Sequence, residues 1–180
     1  MEEMDRSSAT EVEVFTVEYR LVGHVKTGGR RFSNWLNLGD VQTLTVQNVA
    51  LRSLRDLERA AVDLGYVLVN RDAILAVIPR ESPAATGGEQ VAPKPLEYVE
   101  KEEHEVVVSV PPFALRGQMH LAKTADLQRA LITFPGTFIP LTKARIVYTA
   151  RAAALWDGEV ILINRDRAQL YWPSPADREG

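Results

Sequence analysis

Gly65-Tyr66-Val67-Leu68-Val69-Asn70-Arg71-Asp72-Ala73-Ile74-Leu75-Ala76-Val77-Ile78 and Glu159-Val160-Ile161-Leu162-Ile163-Asn164-Arg165-Asp166-Arg167-Ala168-Gln169-Leu170-Tyr171-Trp172 are built on one plan. Each is an apolar run, the tripeptide Asn-Arg-Asp and a second apolar run. Short apolar runs bounded by turn formers predict two strands joined by a tight polar turn. The second copy lies 94 positions after the first, and the same shift carries Leu21-Val22-Gly23-His24-Val25 onto Leu115-Arg116-Gly117-Gln118-Met119. Between these landmarks Leu44-Thr45 aligns with Leu141-Thr142, and Val49 with Ile146, at a shift of 97, which implies a small insertion and a compensating deletion in loops. The expectation is a duplicated β-rich unit. A period this long means tandem domains rather than a solenoid of short repeats.

Working outward, residues 1–10 read as a tail and residues 11–80 as the first unit. Glu11 to Tyr19 alternates polar and apolar residues, the pattern of a strand with one buried and one wet face. A second strand with Gly23 at a bend follows, then turn chemistry at Thr27-Gly28-Gly29-Arg30-Arg31. Phe32 to Asn37 reads as a single helical turn plugging one end of a barrel. After a strand from Thr43 to Ala50, the residues Leu51, Leu54, Leu57, Ala61 and Leu64 fall at helical spacing and predict a short amphipathic helix ended by Gly65. Residues 81–104, with Pro, Gly and then an acidic run, read as a linker. Residues 105–173 form the second unit, in which Thr124 is placed to cap a helix from Ala125 to Leu131 and Asp157-Gly158 to make a hairpin turn. Residues 174–180 read as a second tail.

With 180 residues, two small domains are favoured, each near the lower limit for an independent core. The halves are therefore expected to bury surface against each other or against a second chain. The formal charge of −3 gives no general attraction to nucleic acid. The absence of Cys excludes disulfides, thiolate metal sites and a cysteine nucleophile. The first residues are acidic and polar, so neither a signal peptide nor a membrane span is expected, and the cytoplasm is the default location.

The two Asn-Arg-Asp turns are the leading candidate sites. Asn and Asp hold turns by bonding to nearby backbone, and Arg pairs with a carboxylate, so one reading of Asn70, Arg71, Asp72, Asn164, Arg165 and Asp166 is purely structural. In the other reading Arg71 and Arg165 grip a phosphate or a partner carboxylate bidentately from equivalent loops. Gly28-Gly29-Arg30-Arg31 offers backbone amides to an anion but lacks the lysine and helix start of a phosphate loop. His24, His104 and His120 fall in unrelated contexts, so no metal site is expected. There is no Gly-x-Ser-x-Gly, and an enzyme is the last choice.

A strand with a central Gly, a long middle strand, then apolar run, polar turn and apolar run resemble the Sm-like family of small SH3-type barrels. In the first copy Ser33-Asn34-Trp35-Leu36-Asn37-Leu38 is similar to that family's acidic-x-x-Met-Asn-Leu segment, and Val69 to Ile74 to its Ile-Arg-Gly-Asp/Asn-x-Ile turn. The resemblance implies two tandem barrels, each with a short helix, and an RNA-base pocket at Asn37 and Arg71. The chain also resembles a group of uncharacterised bacterial proteins in which Phe-(Leu/Ile)-Pro-Leu-Thr precedes Val-Asn-Arg-Asp; here Phe138-Ile139-Pro140-Leu141-Thr142 carries the first segment. That likeness implies no activity. The expected function is a non-catalytic binding or assembly module without cofactor, self-associating through barrel edges. A sensor of nucleotides or other anionic small ligands through Arg71 and Arg165 is the alternative, and Sm-like RNA binding the third.

Overall fold

Alternation of Glu11 and Glu13 with Val12 and Val14 produces the first strand, β1 (Ala9–Phe15), which turns tightly into β2 (Tyr19–Lys26). The computed structural model describes residues 9–80, 101–123 and 126–174. A short helix, α1 (Phe32–Leu36), leads to β3 (Thr43–Ser53), β4 (Val62–Asn70), a one-turn 3-10 helix at Arg71–Ala73 and β5 (Ala76–Arg80). The second half repeats this order: β6 (Lys101–Val110), β7 (Phe113–Ala122), α2 (Leu127–Thr133), β8 (Phe138–Tyr148), β9 (Leu155–Asn164), a 3-10 turn at Arg165–Arg167 and β10 (Leu170–Pro173).

The strands form one antiparallel sheet in the order β10-β6-β7-β8-β9-β5-β1-β2-β3-β4. The protein is thus mainly β, with few helical residues, but the expected pair of separately closed barrels is corrected. Among the described residues the ladder closes in neither half, because the outer edge of β5 is given to β9 instead of returning to β4. Within each half the strands are nonetheless arranged alike, β5-β1-β2-β3-β4 and β10-β6-β7-β8-β9.

The halves match in detail at the sharpest bend. Pairing slips between Val22 and His24 opposite β3, and between Arg116 and Gln118 opposite β8. At each slip the long middle strand carries a left-handed residue, Asn48 (φ 50°) or Lys143 (φ 46°). Gly23 and Gly117 lie against these bulges, and a Cβ on either would come within 2.7 Å of the crossing strand, at Gln47 O in one half and Ala144 Cβ in the other. The bulge, an extra residue that bends and twists a strand, curls each half. The alignment of the middle strands needs correction: Thr43 faces Asn70 and Phe138 faces Asn164, so the shift there is 95, and Leu44 corresponds to Ile139.

Several local expectations fail for a common reason, which is that β3, β6 and β9 run longer than their apolar spacing suggested. Residues 51–64 form no helix; Leu51 pairs with Leu21 and Val62, and Leu54 is buried beyond the strand end. Asp157-Gly158 is not a turn but lies inside β9, opposite Arg145 and Ala144. The supposed end of the linker is strand from Lys101 onward, while residues 81–100 lie outside the described residues, as do residues 1–8 and 175–180 of the two tails. Thr124 also lies outside them, and the cap of α2 is Asp126, whose Oδ1 accepts the Arg129 N–H at 2.6 Å.

Two apolar cores result, and each borrows from the other half. Val12, Val14, Leu21, Phe32, Leu36, Leu44 and Ile74 are joined in the first core by Phe138 and Leu162. Phe15, Leu54, Leu75, Ala76 and Ile78 join the second-half strands in the other. The second face of β1, expected to be wet, is covered because Phe15 packs edge-on against Phe113 at 5.6 Å and beside Trp156 at 5.1 Å. Burying a side chain of this size contributes about 1.5–3 kcal/mol, so the halves stabilise each other. The close approach at the bends has a measurable consequence. Gly23→Ala and Gly117→Ala should each lower stability by about 1–3 kcal/mol, whereas Gly65→Ala, in open space, should leave the urea midpoint nearly unchanged.

Candidate functional site

The junction of the halves shows how this chain covers a sheet edge. Residues Ala76 and Val77 of β5 pair with Ile163 and Leu162 of β9. Beyond the last pair the Asn164 N–H donates to Leu75 O at 2.9 Å, and its side-chain Nδ2 donates to Ile74 O at 2.8 Å. Asn164 is 2% exposed, and Leu162, projecting from an outer strand, is fully buried in the core of the other half. A carboxylate also bridges the junction. Glu13 accepts from Arg20 at 2.6 and 3.0 Å and from Arg80 at 2.7 Å, while Arg80 reaches Asp157 O and Arg20 lies over the Trp156 ring. Nothing in the spacing of Glu13, Arg20 and Arg80 advertised this cluster, because Arg80 meets Glu13 only through the β1–β5 pairing.

Both Asn-Arg-Asp turns have the same local build. Asn70 Oδ1 accepts the Asp72 N–H at 3.0 Å, and Asn164 Oδ1 accepts the Asp166 N–H at 3.0 Å. Each Asn thereby caps its 3-10 turn, and each Arg N–H closes the turn onto the neighbouring strand, Arg71 to Gln42 O and Arg165 to Thr137 O. The arginine side chains then diverge. Arg165 Nη1 donates to Leu131 O and Phe134 O, satisfying carbonyls at the end of α2 that the helix itself leaves unpaired. Arg71 lies over the Phe138 ring at 5.4 Å, a cation–π contact, with its buried Nε unpartnered among the described residues. Asp72 is exposed, and Asp166 stands 4.0 Å from Arg165.

Asn37, expected with Arg71 to form an RNA-base pocket, has both ends of its amide in use. Its Oδ1 accepts the Phe138 N–H at 2.9 Å, and its Nδ2 donates to Phe138 O at 3.0 Å and Ser33 O at 3.2 Å. A Cβ on Gly136 would come within 2.6 Å of this amide, so the loop before β8 closes tightly over it. Asn37 thus ties α1 to the other half of the chain.

The two ends of the sheet are its open edges. Among the described residues no strand lies outside β4 or outside β10. Val62, Leu64, Tyr66 and Leu68 alternate along β4 on one exposed face, with Tyr66 67% and Leu68 62% exposed. On β10, Leu170 is 60% exposed, and Trp172 is partly so. A long edge of unpaired N–H and C=O groups lined by apolar side chains is a template for another strand. The sequence carried the signal: Tyr66, Val67, Leu68 and Val69 are apolar on both faces of the strand, yet an edge strand with one core face needs apolar residues on one only. Burial pushes the phenol of Tyr171, within β10, up to about 12.

Other candidates stand apart from these edges. Gly28 and Gly29 have left-handed backbone (φ 63° and 77°) at an open loop tip. A cleft of about 660 Å³ is lined by Met119, Phe134, Ile139 and Val160 with the pair His120–Thr142 at 2.8 Å. His24 pairs across to Gln47 on β3, and His104 lies 3.9 Å from Glu102, so the three histidines do not converge. On the surface, Arg145 holds the Asp157 carboxyl below the usual carboxylate range by direct hydrogen bonding. No helix among the described residues is long and apolar enough to cross a membrane.

No protein-family model, curated protein or solved structure matches this chain. Glu13 is buried but Arg20 and Arg80 reach solvent, so Glu13→Ala should lower the unfolding free energy in urea by about 1–3 kcal/mol, the cost of losing charge-assisted hydrogen bonds. Asn164→Ala, which orphans Ile74 O and uncaps the turn, should cost about 1–3 kcal/mol.

Proposed function

We propose that this protein is a non-catalytic assembly module that associates with itself by adding strand to strand at its two open edges. The observation that carries this reading is the apolar, unpaired edge of β4, in a chain that already covers the equivalent edge of its other half with a strand. At the internal junction the outward-facing Leu162 is fully buried, while its counterpart Leu68 is 62% exposed. We further infer that the two halves descend from one barrel-like unit, curled by its Gly-and-bulge bend, that was copied end to end. The shared strand order, the paired left-handed residues at Asn48 and Lys143 and the two identically capped turns support that descent.

An apolar edge binds by burying side chains and completing backbone hydrogen bonds, which gives affinity with little dependence on charge. Native mass spectrometry and light scattering at micromolar concentration should show species of more than one chain, unchanged from low to moderate salt. Leu68→Asp should convert these to monomers without loss of β-sheet signal, since Leu68 contributes to neither core. A monomeric wild-type protein would overturn the reading.

A further inference from the structure

The internal junction also specifies which edge meets which, and in what register. We infer that β4 of one copy adds to β10 of a second copy in the register by which β9 adds to β5, with Asn70 as the latch. This inference rests on the self-association proposed above, and narrows the partner to a second copy joined head to tail.

The positions correspond one by one. Leu75, just before β5, donates its N–H inward to Phe15 O at 2.8 Å, and its carbonyl accepts the Asn164 N–H from the other side at 2.9 Å. In the second half Gln169, the counterpart of Leu75, makes the same inward bond, its N–H donating to Ser109 O at 2.8 Å; by that correspondence we place its carbonyl at the open edge. On the opposite side, Arg71 N–H is used on Gln42 O, as Arg165 N–H is used on Thr137 O. Alternation along a strand then turns the Asn70 N–H outward, as it turns that of Asn164. The Asn70 amide is already oriented, because its Oδ1 is held by the Asp72 N–H at the 3.0 Å found at Asn164. Its Nδ2 has no partner among the described residues. In the inferred contact Asn70 N–H donates to Gln169 O of the second copy and Asn70 Nδ2 to Ala168 O, the counterparts of Leu75 O and Ile74 O. Leu68 faces Tyr171, and Val69 faces Leu170.

The contact differs from the internal one where the sequence differs. Glu13, Arg20 and Arg80 correspond to Val107, Ala114 and Ser174, so the charged bridge has no second copy. Leu64 stands where Gly158 does, and Trp172 where Ile78 does, so an apolar corner replaces it. The intermolecular joint is therefore separable, whereas the internal one is fixed. Because the two edges are different surfaces, the contact is heterologous, the type that builds rings or filaments rather than a twofold dimer.

The chain has no Cys, so single introduced thiols report the contact cleanly. Facing residues of an antiparallel pair lie about 4.5–5.5 Å apart between Cα atoms, within disulfide range. Leu68→Cys and Tyr171→Cys proteins, differently tagged and mixed under mild oxidation, should give the mixed disulfide dimer in excess of either homodimer. Asn70→Asp keeps the acceptor that caps the turn and removes the amide donor; it should weaken association by a factor of about 3–10 at unchanged monomer melting temperature. Predominance of Leu68→Cys homodimers would identify a β4–β4 dimer and overturn the inferred register. So would a wild-type oligomer that gives no mixed disulfide, or one whose dissociation constant Asn70→Asp leaves unchanged. A wild-type monomer would instead overturn the parent reading.

Discussion

A strand at the edge of a sheet leaves every second N–H and C=O without a partner, and this chain resolves the problem at its centre by laying β9 along β5. The other cross-half features follow from that placement. With β9 seated, Leu162 and Phe138 reach the first core, and Phe15 lies between Phe113 and Trp156 in the second. Glu13 then loses its solvent, and two arginines from separate strands have to hold it. A sheet closed within each half would have separated these groups. Instead, among the described residues, a single ladder of ten strands runs through both halves, and neither core is complete without residues from the other.

The Asn-Arg-Asp turn shows how one local solution acquires different tasks. Its Asn caps the turn in both halves through the same oxygen, which leaves the amide nitrogen for use across an edge. At Asn164 that nitrogen is spent on Ile74 O and buried. At Asn70, an exposed residue at the end of an apolar strand, that nitrogen has no partner among the described residues, and the proposed assembly uses it in the same way on a second molecule. The arginines have diverged further: Arg165 supports the end of α2, and Arg71 rests on Phe138. A paired anion clamp draws no support from this arrangement, since one of the two guanidinium groups is occupied by backbone carbonyls.

Local signals in the sequence led correctly where the chemistry was local. The Asn-x-Asp turns, the helical turn over Phe32–Leu36 and the constraint at Gly23 and Gly117 each depend on atoms a few residues or one strand apart. Leu51 to Leu64 misled because apolar residues on both faces of a strand pair reproduce helical spacing by chance, and only the pairing of β3 with β4 separates the two. Asp157-Gly158 has turn composition, yet Asp157 answers Arg145 across the ladder and Gly158 makes room for Ile78. Asn37 carried the mark of a binding residue, but its amide is used on Phe138, a residue 101 positions away.

The sequence alone determined that this is a β-rich chain with two matching sets of strands and turns, because alternation, turn chemistry and the repeated tripeptide are encoded within short windows. Tertiary structure decided that the two sets share one sheet, which residues cross between cores and which edges remain open. Those outcomes depend on hydrogen bonds between strands far apart in the chain, and no local pattern of side chains specifies which edge a backbone will choose.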